Sequence, residues 1–375
     1  MSYKDNTAFR VLITTDYLKP DDEVDHYLRR AGCETAHLPM RGRRDPEELA
    51  RALRGFEAAL IANEPMTADV LARATALRVI VRTGVGYDSV DVEAATRLGV
   101  TVSNLPGVNA NAVAEYTMGL LLAAARRLVH SAMGVVAGGW PREDGRELRG
   151  ATLGLIGYGA VARAVVPLAR AFGMTVLCRT NVPPGERAGT FARAGEKERA
   201  GEKERAGEKE RAGENERAGE GERPDERERP DGFVRFVELD ELLAASDYVS
   251  VHTALTERAR GLLGAEAFGR MKPGAVLVNT ARGPIVDERA LAAAVRSGVI
   301  AGAALDVVCA EPLPADSPLR GVEGIVVFSH LAGQSAEARR AAGLEGAAEL
   351  VASLRGAPRF AVNQPDVVRT PAAQA

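Results

Sequence analysis

The chain has 375 residues, 46% apolar and 26% charged, with a formal net charge of −3. Its length is a prior for two domains. The absence of a basic stripe or a long apolar run speaks against nucleic acid and membrane as partners. Cys33, Cys178 and Cys309 are widely spaced with no C-x-x-C pair, which argues against a disulfide framework or a zinc site, so no metal is expected. The start, Met1-Ser-Tyr-Lys-Asp5, has no apolar signal region, and a cytoplasmic location is the default expectation.

In chain order, residues 11–14 read as a strand, 22–31 as a helix and 58–61 as a strand. A strand at 79–81 leads into Arg82-Thr-Gly-Val-Gly-Tyr87, and another follows at 100–102. Such alternation implies βα units and a parallel sheet. Leu105-Pro-Gly107 breaks the pattern, and one long helix is predicted over 111–128, closed by Arg126 and Arg127, whose charge suits a helix C-terminus. Trp140, in a loop-like stretch, reads as a packing residue. A second alternating series runs from Thr152 to His330, and an Ala/Glu/Arg-rich helix is predicted over 335–354.

Residues 193–231 interrupt that series. Arg193-Ala-Gly-Glu-Lys-Glu198 recurs at Arg199 and Arg205 and decays over three further copies. The segment holds 11 Lys/Arg and 14 Asp/Glu, which leaves the rest of the chain neutral. Six helical residues turn by about 600°, so no apolar stripe forms. Each recurring Gly costs about 1 kcal/mol against Ala in a helix. A solvated, largely disordered insertion is expected.

The strands of the second series each run into a polar residue. The strand at 248–251 meets His252, that at 275–278 meets Asn279 and then Arg282, that at 303–305 meets Asp306 with Glu311 beyond, and that at 325–329 meets His330. Ligands of open parallel α/β sheets bind outside the carboxyl ends of the strands, so this edge reads as a nucleotide-dependent active site. Upstream, the strand at 152–156 enters Gly157-Tyr158-Gly159-Ala160-Val161-Ala162. The first glycine permits a tight turn, the second lets backbone amides approach a pyrophosphate, and the third small residue lets the helix pack on its strand. The next strand should end at the adenosine ribose, where an NAD-specific site carries an acid. Here stand Arg179 and Thr180, with no acid until Glu186. Arg and Thr suit a 2′-phosphate, so the reading leans to NADP over NAD.

Hydride transfer at a hydroxyl-bearing carbon needs a group that takes or gives the hydroxyl proton, and His330 is suited to it. An adjacent carboxylate, Glu311, favours the imidazolium and fixes its tautomer. Arg282 offers a fork that holds a substrate carboxylate and polarises a carbonyl. His26, His37 and His130 read as ordinary surface or helix residues, His252 as a pocket-lining one, and Cys309 as a small, partly buried residue.

Taken together, Arg82-Thr-Gly-Val-Gly-Tyr-Asp-Ser-Val-Asp91, Val113-Ala-Glu-Tyr116, the Gly157 loop, Met271-Lys-Pro-Gly274, Asn279-Thr-Ala-Arg-Gly-Pro-Ile-Val-Asp287, Leu305-Asp-Val-Val-Cys-Ala-Glu-Pro312 and Ser329-His-Leu-Ala-Gly333 resemble the D-isomer-specific 2-hydroxyacid dehydrogenase family. The branch that they resemble contains hydroxypyruvate/glyoxylate reductases and phosphoglycerate dehydrogenases. The resemblance implies an α/β fold of two doubly wound parallel-sheet domains. One is a flavodoxin-like substrate domain (1–106 and 334–375), the other a Rossmann NAD(P)-binding domain (107–333) interrupted at about 183–232. It places the catalytic roles on Arg282, Glu311 and His330 and the carboxylate-binding turn on Gly84, Val85 and Gly86. Cofactor contacts are implied at the Gly157 loop, Arg179, Thr180, His252, Thr280, Ala281, Asp306 (the nicotinamide-carboxamide partner) and His330. A homodimer and a small 2-keto or 2-hydroxy acid substrate are implied, glyoxylate or hydroxypyruvate first. D-3-phosphoglycerate is the alternative; it would need added cations, for which Arg41, Arg43 and Arg44 are candidates. A reading of another class is a nicotinamide-sensing corepressor scaffold that retains the same residues.

Overall fold

Apolar strands that run parallel and side by side dominate both units of the chain. The computed structural model describes residues 8–40, 45–182, 234–365, 367 and 369. The repeat at 193–231, Glu186, Arg41, Arg43 and Arg44 lie outside the described residues. One compact unit comprises Met1–Ala112 with Gly333–Ala375, the other Val113–Ala332.

In the first unit, β1 (Phe9–Ile13), β2 (Cys33–His37), β3 (Ala58–Ile61), β4 (Val79–Arg82) and β5 (Thr101–Ser103) form a sheet in the order β2-β1-β3-β4-β5, parallel throughout. All four residues of β3 are fully buried, because a parallel sheet is covered on both faces. Leu12, Ala59, Ile61 and Ile80 pack on one side with Leu49 and Leu71, while Val11, Ile13, Leu60 and Val81 pack on the other with Leu28, Ala347 and Leu350. Helix starts follow the capping rule: Asp22, Asp45, Thr67, Asp91 and Ser335 each accept a first-turn N–H.

Two buried carboxylates tie this unit together. Glu349, fully buried in the helix Ala336–Leu354, accepts from Ser103 Oγ at 2.9 Å and from the backbone N–H groups of Arg359 and Phe360 at 3.0 and 3.1 Å. It fastens the returning C-terminal segment, whose Val362 N–H donates to Val102 on β5. Asp25 is also fully buried, and burial alone would raise its pKa. Hydrogen bonds from Thr35, the Asp21 N–H and His37, together with the Arg29 charge, hold it below the usual carboxylate value instead. His37 is therefore no ordinary surface histidine: its ring is nearly buried and its Nε2 lies 3.2 Å from Asp25.

The second unit contains β6 (Thr152–Ile156), β7 (Thr175–Arg179), β8 (Val234–Phe236), β9 (Tyr248–Val251), β10 (Val276–Asn279), β11 (Gly302–Leu305) and β12 (Ile325–Val327). The order is β12-β11-β10-β9-β6-β7-β8, again all parallel. Strand order reverses between β6 and β9, the place where ligands of such sheets bind. Two doubly wound parallel sheets are thus present, as the sequence implied.

The predicted helix over 111–128 is two helices. Ala110–Ala125 ends early, Arg127 adopts a left-handed φ of 51°, and Leu128–Val136 departs at 65°. No Gly or Pro marks the break, so nothing local in the sequence announced it. Trp140 is 78% exposed rather than packed, and Leu128, Met133 and Val136 are exposed as well. Among the described residues no single helix is long and apolar enough to cross a membrane.

Breaking a buried, hydrogen-bonded carboxylate network costs about 3–5 kcal/mol. Glu349→Ala should therefore lower the urea midpoint of the chain strongly, whereas Glu349→Gln, which keeps one acceptor oxygen, should lower it less.

Candidate active site

The glycine turn occupies the reversal point. Gly157 follows β6 with a φ of 105°, and its N–H donates to Arg179 O at 2.8 Å. A Cβ at Gly157 would stand 2.5 Å from the carbonyl oxygen of His252, at the end of β9, so only glycine fits. Gly159 begins the helix Ala160–Ala171 in extended backbone without a side-chain cap, and a Cβ there would meet nothing within 4 Å. The first-turn N–H groups and the helix dipole are thus suited to an anion such as a pyrophosphate, and the turn fits a dinucleotide. Ala162 is fully buried against the sheet, so the third small position tolerates a methyl group. Gly159 and Ala160 are exposed and Val161 half-buried. Tyr158 packs edge-to-face on Phe236 at 5.0 Å, so any part that it plays in holding a cofactor runs through its backbone. Arg179 closes β7, half-buried, and Thr180 Oγ1 accepts the Val182 N–H at 3.1 Å.

His252 Nε2 lies 2.9 Å from Ser250 Oγ, and burial pushes its pKa down to about 4. The imidazole is neutral near pH 7, which suits a lining group rather than a proton donor.

After β10, fully buried Asn279 clasps its own turn. Its Nδ2 donates to Arg282 O at 2.9 Å and its Oδ1 accepts the Ala281 N–H at 3.0 Å. Thr280 Oγ1 lies 3.2 Å from Thr117 Oγ1, and Arg282 Nη1 donates to Ala281 O at 2.7 Å. A Cβ at the following residue, Gly283, would collide with the Val308 carbonyl and the Cys309 nitrogen. The Arg282 turn therefore lies directly on the loop that carries Glu311.

Glu311 Oε2 and His330 Nδ1 are 2.9 Å apart. His330 itself has a left-handed φ of 59°, uncommon for a residue other than Gly and a sign of functional constraint. Asp306, 1% exposed at the end of β11, surrounds that backbone: its carbonyl accepts the His330 N–H, and its carboxylate accepts the N–H groups of Leu331 at 2.8 Å and Ala332 at 3.0 Å. The Tyr116 phenol pKa is raised by burial and by the Asp306 charge, and its ring meets Phe328 edge-to-face at 6.1 Å. Neither Tyr116 nor the role of Gly283 followed from sequence spacing, since each depends on a contact with residues distant in the chain, Phe328 and the Val308–Cys309 backbone.

Cys309 is exposed, not partly buried, yet local desolvation and neighbouring Glu288 push its thiol up to about 12, so little of it is the reactive thiolate near neutral pH. Gly84, Val85 and Gly86 lie in the other unit, past β4. There the Gly84 carbonyl accepts the Leu105 N–H and Asn104 Nδ2 donates to Val85 O at 2.6 Å. The Arg82 guanidinium folds over Gly84, bonded to Asn63. Among the described residues no three His, Cys, Asp or Glu side chains form a metal-binding group.

The His252 pKa sets a pH dependence of stability. The unfolded chain protonates this imidazole near 6.5, the folded chain only near 4. The unfolded state thus binds the extra proton between those values, and stability is lost as pH falls through that window. Urea midpoints at pH 7 and pH 5 should therefore differ less in His252→Gln than in the parent chain.

Comparison with known proteins agrees with this geometry. The family profile "D-isomer specific 2-hydroxyacid dehydrogenase, NAD binding domain" matches residues 118–199 and 218–332. D-3-phosphoglycerate dehydrogenase of Archaeoglobus fulgidus is 35% identical over 350 residues, 92% of this chain, although the match spans only 58% of that protein. Glyoxylate reductase of Korarchaeum cryptofilum is 35% identical over 83% of this chain and 84% of its own length. The crystal structure of the TT0316 protein from Thermus thermophilus superposes with a TM-score of 0.74 at 33% identity, covering 95% of this chain and 100% of that one. By these matches the chain belongs to the D-isomer-specific 2-hydroxyacid dehydrogenase family.

Proposed function

We propose that the chain is an NAD(P)-dependent oxidoreductase that interconverts a small 2-keto acid and its D-2-hydroxy acid, with reduction of glyoxylate or hydroxypyruvate as the leading activity. The observation that carries this reading is the 2.9 Å pair between His330 Nδ1 and Glu311 Oε2, on the sheet edge that holds the Gly157 turn. The Gly157 turn would hold a nicotinamide dinucleotide, which when bound would supply the hydride that the carbonyl carbon accepts. His330, through Nε2, the nitrogen not bonded to Glu311, gives its proton to the carbonyl oxygen as the C=O π bond breaks and the hydroxyl forms. Glu311 holds the tautomer and orientation that this requires. Arg282 pairs with the substrate carboxylate and polarises the carbonyl. Assignment of the smaller unit to substrate and the larger to cofactor follows the same reading. A preference for NADP is supported by Arg179 and Thr180 at the end of β7.

One observation favours the second substrate reading. The Arg82 guanidinium beside the Gly84 turn would suit a second anionic group, as in D-3-phosphoglycerate. The homodimer reading is supported by the exposed apolar residues Leu128, Met133, Val136 and Trp140, a cluster of the kind that marks interaction sites.

Initial rates with glyoxylate, hydroxypyruvate, pyruvate and 3-phosphohydroxypyruvate, each with NADH and NADPH, test the proposal. Arg282→Ala, Glu311→Gln and His330→Ala should each lower kcat/KM by roughly 10²- to 10⁴-fold. Cofactor binding without turnover on any acid would favour the sensing scaffold. Light scattering should report a dimer that Met133→Glu weakens; a monomeric parent chain would remove the dimer reading.

A further inference from the structure

Residues 146–151 are stitched between the C-terminal ends of two helices of the second unit. The Arg146 N–H donates to Ala125 O at 2.7 Å, where Ala110–Ala125 ends, and the Gly150 N–H donates to Gly173 O at 2.9 Å, just past Ala160–Ala171. These elements enclose a cavity of about 260 Å³. Leu122, buried Leu148 and the 41% exposed Phe172 form its apolar part. Arg126, Arg146, Arg149 and Glu147 form its charged part. We propose that this cavity binds a small organic monoanion with an apolar body, a carboxylate carried on a ring or a short chain.

The cavity is remote from the candidate active site. Leu148 and Arg149 precede β6 and Gly157 follows it, so the whole strand, about 16 Å long, lies between cavity and glycine turn. None of His252, Arg282, Asp306, Glu311 or His330 lines it. Charge decides the sign of the ligand. Arg146 is engaged: its Nη1 donates to Gly274 O at 3.0 Å, and Asp247, 4.0 Å from its Nη2, is already held by Lys272 at 3.0 Å. Arg126 and Arg149 have no side-chain hydrogen bond or ion pair among the described residues, and Glu147 pairs with neither. Each helix C-terminus counts for about half a negative charge. Three guanidinium groups less Glu147 and those two ends leave about one positive charge, which a monoanion cancels. A guanidinium fork suits a carboxylate. The exposed Phe172 ring beside Leu148 gives an apolar body surface to cover, which an inorganic anion would leave wet. The volume falls just below the range of about 300–1,000 Å³ usual for ligand pockets, which sets a small ligand.

The site does not depend on the proposed dehydrogenase activity, but the residues proposed for that activity also hold a carboxylate. The full-length Arg282→Ala chain is therefore titrated beside the parent. Benzoate, benzylamine and inorganic phosphate serve as probes, read by calorimetry at low ionic strength. Benzoate should bind saturably to both chains, benzylamine to neither through this cavity, and phosphate to Arg282→Ala about tenfold more weakly than benzoate or worse. Arg126 and Arg149 are exposed, so replacing them leaves the core intact. In the Arg282→Ala background, Arg126→Gln with Arg149→Gln should weaken benzoate by about tenfold or more, the scale of a lost hydrogen bond to a charged group. Phe172→Ser should weaken benzoate and leave phosphate unchanged. Benzoate binding that vanishes in Arg282→Ala belongs to the other sheet edge and overturns the proposal. Binding that persists unchanged after both arginine substitutions overturns it as well. Phosphate as tight as benzoate overturns the apolar body, and benzylamine binding that the arginine substitutions alter overturns the anionic charge.

Discussion

Burial on both faces of a parallel sheet is the constraint on which the rest of this structure depends. Strands β9, β10 and β11 have no wet face, so polar side chains within them must be hydrogen-bonded, as Ser250 is to His252 and Asn279 to its own turn. Groups meant to meet a ligand are left a single place, the residues just beyond the strand ends. His252, Arg282, Asp306 and His330 all stand there. Parallel strands with right-handed crossovers bring all those ends to one edge, so residues far apart in the chain converge without any local sequence proximity.

Precision at that edge comes from backbone contacts more than from side-chain pairs. Asn279 and Asp306 are buried polar residues whose partners are the amides and carbonyls of the turns that follow their strands. Gly157 and Gly283 do the complementary work: each lets one turn lie against the backbone of another where a methyl group would collide. A turn held at both its amides and its carbonyls has few alternative conformations, and that rigidity positions a reactive side chain without a large local core.

Much of this was legible in the sequence, and the boundary of legibility has a physical cause. Runs such as Ala-Ala-Leu-Ile at β3 and Tyr-Val-Ser-Val at β9 are apolar because they are buried, so the pattern and the strand coincide. The Gly157 turn was readable because its spacing is imposed by backbone geometry. The break at Arg127 was not, since a left-handed Arg has no compositional mark. The pairing of His37 with Asp25 depends on where a strand and a helix meet, and the Tyr116 ring meets Phe328, far along the chain. Trp140 misled because aromatic residues are usually buried, whereas the helix before it turns away and leaves it in solvent.

The pairing of β7 with β8 bears on how this gene can change. Val176 lies beside Val234 in register, so the two strands are neighbours in space although 57 residues of sequence (177 to 233) separate those partners. Their ends are fixed by the sheet, while the entropy of closing a long connection grows only with the logarithm of its length, about 0.6 kcal/mol per doubling. Adding or deleting one six-residue copy of the repeat leaves the reading frame intact and hardly alters that cost. Copy number between these strands is therefore close to selectively neutral as far as folding is concerned, and related strains are expected to differ there in length while the strands on either side stay the same.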